Sequence, residues 1–174
     1  MMHMRKRIIL TLALAATLLA ATPPVRAQEK DYLTRLEADR IREAEIASQR
    51  IKLFTGFAAD RIKKFQYEVG RTVPDRRRME RLNDLLNQYT GCMDDAGELV
   101  ELGIEKSQDI RDGVKDLQAK GKEFLDYLEK FSAAAPDPAL QDNLEDAVQA
   151  TKDTLKDAEK ALKEIAPPPV RRKP

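Results

Sequence analysis

The sequence predicts an all-α protein, an elongated antiparallel helical bundle or coiled coil of three long helices. Three observations carry that expectation. A heptad seam runs without a slip from Met79 to Phe131, helix start and stop signals divide the chain into three stretches, and the first link is too short for anything except an antiparallel hairpin.

The seam consists of Met79, Leu82, Leu86, Tyr89, Met93, Ala96, Val100, Gly103, Ser107, Ile110, Val114, Leu117, Gly121, Phe124, Leu128 and Phe131. None is charged in a chain that is 35% charged. Sixteen uncharged places in one chosen register arise by chance roughly once in a thousand, so the period is a real pattern. Sustained 3.5-residue spacing implies packing along the length against partner helices.

The first helix, over about 34–70, opens on Thr34-Arg-Leu-Glu37, a capping-box pattern whose hydroxyl and carboxylate satisfy free amides at a helix start. Apolar residues Leu36, Ile41, Ala44, Ile51, Phe54, Ala58, Ile62, Phe65 and Val69 follow, mostly three or four apart, with an irregularity expected near Ala47-Ser48. Gly70 is its stop signal. Thr72 and Pro74 suit the cap and first turn of a second helix over about 74–131, about 85 Å long. Residues 132–136, ending in Pro136, close it. Asp137 and Pro138 open a third helix over 138–166, whose seam reads Leu144, Val148, Thr151, Leu155, Ala158, Leu162 and Ile165. The basic, proline-rich tail 167–174 reads as a disordered polyproline segment.

Counting outward from the two turns puts residue 33 near 110 and residue 165 near 104. The three helices then overlap around 103–111, where Gly103 and Ser107 would let a third backbone approach. Gly91, Gly97, Gly103, Gly113 and Gly121 argue against a straight rod, since each costs up to about 1 kcal/mol relative to alanine inside a helix. A break near Gly91–Gly97 would give the alternative, a compact four-helix bundle.

The N-terminus has the layout of a secretory signal peptide. Arg5-Lys-Arg7 precedes an apolar run of 14 residues, Ile8 to Ala21, and the small-residue site at Ala27. That run is short of the roughly 20 residues a membrane span needs. Cleavage after Ala27 is expected, giving an exported protein, periplasmic or extracellular, with a single helical domain over 28–166. The mature chain would carry 31 − 4 = 27 basic and 30 acidic residues, a net charge of −3. Mild acidity and the lack of zinc-finger or RNA-binding motifs argue against nucleic acid as a partner. The one histidine, His3, leaves with the leader. Without imidazole there is no Ser-His-Asp or Cys-His site, no axial histidine for haem and no Glu-x-x-His iron site. The expectation is therefore no enzyme, no catalytic or cofactor-binding residues and no metal.

Two features remain as candidate sites. Residues 60–81 around the first turn carry eight basic against four acidic side chains. Cations at a helix N-terminus oppose the macrodipole, so Arg71, Arg76, Arg77, Arg78 and Arg81 form a candidate docking surface for an anionic partner, either lipid headgroups or an acidic protein face. The plain alternative is a solvated turn paired with nearby acids. Cys92 is the only cysteine, at a position flanking the seam. It reads as a buried inert thiol, with an intermolecular disulfide as the functional alternative.

The acidic stretch Asp94, Asp95, Glu98, Glu101, Glu105, Asp109 and Asp112 has carboxylates on shared helix faces but no calcium-loop spacing, so a solvated face is the expectation. Aromatics at seam positions read as core rather than as a ligand pocket. The functional expectation is interaction: an adaptor, spacer or chaperone-like envelope protein with a protein partner. The alternative is an amphipathic protein that makes peripheral contact with an anionic membrane surface. Apolar positions beside the seam could serve the chain's own helices or a second copy, so a homodimer stays open.

Overall fold

A computed structural model describes residues 32–73, 75–134 and 136–165, all within one packed unit. The expected leader, residues 1–27, the tail 167–174 and Pro74 lie outside the described residues. The described residues are all helical apart from turns and links, with no strand, and form five helices packed together. These are α1 (Arg35–Glu43), α2 (Ala47–Gly70), α3 (Arg78–Glu105), α4 (Arg111–Ala133) and α5 (Gln141–Glu164), the last preceded by a 3-10 turn at Pro138–Leu140.

α1 begins as its sequence requires. Thr34 Oγ1 accepts from the Glu37 amide at 3.3 Å and the Glu37 carboxylate accepts from the Thr34 amide at 2.8 Å, which completes the capping box. The irregularity expected near Ala47-Ser48 is a full break at residues 44–46. α2 stops at Gly70, as the glycine predicts, and Asp137 caps the 3-10 turn by accepting from the Ala139 amide. α3 begins at Arg78, about four residues later than the Thr72 signal suggested, and Asp75 rather than Thr72 accepts the first free amide, that of Arg77.

The single helix expected over 74–131 is two helices, and the link between them is 106–110 rather than Gly91–Gly97. Ser107 adopts φ 50°, its amide donates to the Ile104 carbonyl, and the Gln108 amide donates to the Gly103 carbonyl. This pair of bonds is a Schellman stop with serine in the left-handed position that glycine usually takes. Ile110 folds back onto Gly103, where an added Cβ would come within 2.6 Å of the isoleucine side chain. The small residue therefore admits a side chain at a chain reversal, not the third backbone that was expected there.

α2 and α5 each pack against both α3 and α4. Bonds fix the directions. Ser48 Oγ accepts from the Gly113 amide at 2.9 Å, and Phe65 meets Phe131 edge-on, so α2 and α4 run parallel. Asn143 donates to Asn83 and Thr154 donates to the Met93 carbonyl, so α3 and α5 run parallel as well. Two antiparallel hairpins, α2 with α3 and α4 with α5, thus lie against each other. Tyr32 sits beside Gly91 rather than residue 33 beside 110, because the break at 44–46 folds α1 back. The Ile165 carbonyl accepts from Arg111, near the expected neighbourhood of residue 104.

The interior is continuous and mostly apolar, with a few buried polar side chains such as Thr55, Thr151 and Asp95. Thirteen of the sixteen seam residues are buried, Met79 and Phe131 are half-buried, and Ser107 alone is exposed at the link. On α5 the buried face turns toward Ala147, Ala150, Thr154 and Ala161, while the expected Val148, Leu155, Leu162 and Ile165 are only half-buried at its edge. Small residues sit at the centre because α3 comes close there: an added Cβ on Gly97 would touch Thr154 at 3.4 Å. Leu36, expected to face inward, is 65% exposed.

Candidate docking surface at the α2–α3 elbow

Arginine contacts tie the end of α2 to the start of α3. Arg78 Nε donates to the Glu68 carbonyl at 3.0 Å and its Nη2 donates to the Val69 carbonyl, satisfying two of the free acceptors at the C-terminus of α2. Arg71 and Arg81 both reach the Glu68 carboxylate, at 3.1 and 3.2 Å, and Arg81 also meets Asp75 at 2.6 Å. Burial by itself would raise the Glu68 carboxyl, but the hydrogen bonds from Arg81 and Arg71 outweigh it and hold the group below the usual carboxylate range. Arg81 first, then the Arg77 amide, lowers Asp75 in the same way.

The five arginines singled out in the sequence therefore divide. Arg71, Arg78 and Arg81 are half-buried and bonded within the elbow, whereas Arg76 and Arg77 are exposed and make no ion pair among the described residues. Sequence reasoning missed two exposed side chains of the same region, Tyr67 in the last turn of α2, 70% exposed, and Val73 in the link, 61% exposed. Tyr67 follows exposed Lys63 and Lys64 at helical spacing, so one outer face of α2 carries two cations and then the ring. A signal existed: Tyr67 lies outside the apolar phase of its helix.

Arg61, counted in the basic elbow from its position, is elsewhere. It is 2% exposed, its guanidinium donates to both Glu37 carboxylate oxygens and to the Tyr32 carbonyl at 3.1 Å, and it fastens α1 to α2. Burial alone would raise the Glu37 carboxyl, but Arg61 and the two Thr34 bonds hold it at about 2.

Cys92 is fully buried within the chain's own core, so a bond to another chain would require that core to open. The acidic stretch is not uniformly solvated, since Asp95 is buried. Partial burial, then Glu98 one turn along α3 and Asp153 and Asp146 of α5, raise the Asp94 carboxyl. Among the described residues no set of three or more acidic, cysteine or histidine side chains is spaced to hold a metal ion. An open groove of about 730 Å³ between α4 and α5 is lined by Glu129, Ala133, Glu145, Asp146, Val148 and Lys152 and brings no reactive set together. No described helix is long and apolar enough to cross a membrane. Compared with family models, curated proteins and solved structures, the chain matches none.

Proposed function

We propose that this is an exported, non-enzymatic protein in which α2–α5 form an antiparallel four-helix bundle, and that it acts by docking on a protein partner through the elbow. The observation that carries this reading is the division of labour among the arginines. Three bond within the elbow, which leaves Arg76 and Arg77 exposed and without an ion pair among the described residues, in a region that also exposes Tyr67 and Val73. Tyrosine and arginine together favour a protein interface, because a ring and a planar cation contribute contact area at low entropic cost.

Affinity capture with the tagged chain from its native envelope fraction tests this. A stoichiometric protein lost on Arg76→Gln/Arg77→Gln supports docking at the elbow; capture that is indifferent to the double variant removes it. Exposed Tyr67 next to cations also favours a second reading, peripheral contact with anionic lipid, since tyrosine suits a membrane interface. Sedimentation with phosphatidylglycerol vesicles separates the two: binding to vesicles that the double variant abolishes, without a captured protein, selects the lipid.

A further inference from the structure

The break between α1 and α2 carries no helix-breaking residue, and the side-chain bond that spans it, from Arg50 Nε to the Ala44 carbonyl at 2.9 Å, occupies a carbonyl the break has already freed. Residues 42–48 contain neither glycine nor proline. Ile46, the N-cap of α2, makes no side-chain cap bond and belongs to the poorest capping class. The core-facing positions Ile41, Ala44, Ser48, Ile51, Thr55, Ala58, Ile62, Phe65 and Val69 alternate steps of three and four straight through the break, and each is buried or half-buried. Local preference is thus for one straight helix from Arg35 to Gly70, about 54 Å long.

What bends the chain is tertiary. Glu37 meets Arg61 with both oxygens, the Tyr32 carbonyl accepts from the same guanidinium, and the Tyr32 ring lies over Gly91, where an added Cβ would stand 2.8 Å from it. α1 itself has no fully buried residue. The hinge is extended at both ends, Ala44 at ψ 115° and Ile46 at ψ 144°.

We propose that residues 32–43, α1 with Tyr32 ahead of it, form an exchangeable strap: the segment leaves Arg61 of α2 and Gly91 of α3, straightens onto α2, and docks at the same two places on a second copy to give a reciprocal, domain-swapped dimer. The occupant is a second copy because both places are already matched by this segment, carboxylate to Arg61 and ring to Gly91. Both contacts re-form between chains, and the straight hinge adds helical hydrogen bonds that the folded-back strap lacks. Nothing in this exchange uses the elbow.

A charge exchange tests it. The Glu37→Arg chain and the Arg61→Glu chain should each be monomeric in size-exclusion chromatography with light scattering, and an equimolar mixture should give a dimer that native mass spectrometry resolves as one copy of each. Glu45→Pro suits the extended hinge, since Ala44 before it is already extended, but blocks the straight helix. It should lower the wild-type dimer fraction at least tenfold. A mixture that stays monomeric while both chains remain helical overturns the proposal. If the Arg61→Glu chain fails to fold, the hinge variant decides alone: a wild-type chain that never dimerises, or a Glu45→Pro dimer fraction equal to wild type, overturns it.

Discussion

Arg61 carries a charge into the interior because Glu37 and the Tyr32 carbonyl meet it there. A carboxyl held at about 2 in the folded chain, against 4.5 for a free glutamate, contributes stability that is fully present above about pH 4.5 and is lost as pH falls through 2. The contribution is on the order of 2 kcal/mol once the solvent still reaching Glu37 is allowed for. Urea unfolding of wild type and Glu37→Gln should converge as pH falls through that window, and parallel curves would refute the assignment. Glycines offer a contrast within the same fold. A Cβ at Gly113 would meet the Ser48 backbone carbonyl at 2.6 Å, and backbone cannot step aside, so Gly113→Ala should destabilise by about 1–3 kcal/mol. Gly56 has nothing within 4 Å, so Gly56→Ala, inside α2, should stabilise by about 0.5–1 kcal/mol. Equal signs in a urea titration would contradict the packing described.

The elements show why the heptad seam read as one helix. Gly103 and Ile110 are seven residues apart on either side of a chain reversal, so core-facing spacing continues although the backbone does not. The stop itself uses serine in a left-handed conformation, and neither glycine nor proline marks it. Relieving that strain by Ser107→Gly should raise stability by about 0.5–1 kcal/mol, measured by thermal and urea unfolding; a loss would mean that the serine hydroxyl matters more than the backbone. Capping is shared across elements too. α4 has no side-chain cap of its own at Ile110, and the Ser48 hydroxyl of α2 accepts its third amide instead. By contrast the Thr34 box, Gly70 and Asp137 were legible, because each acts within a few residues of itself.

For the molecule as a whole, exposed side chains that make no bond among the described residues can be altered without unfolding the protein. Arg76→Gln/Arg77→Gln should leave the melting temperature within about 2 °C of wild type, whereas Arg78→Ala, which strips two α2 carbonyls of their donor, should lower it by several degrees. Similar melts for both would erase the distinction between frame and exposed face. The basic elbow was legible as a charge run, but its division was not, because which arginine finds Glu68 or Asp75 depends on where the turn closes. Sequence alone determined that the described residues are helical, most of the residues the seam buries, where the capping box and the Gly70 stop fall, and that one turn is rich in cations, since these follow from local bonding and periodicity. Only the tertiary structure decided the reversal at Ser107, the folding back of α1 onto Arg61, the small-residue face of α5 and the pairing of the two hairpins. Each of those depends on groups far apart in the chain meeting across the core, and spacing along a sequence carries no record of that.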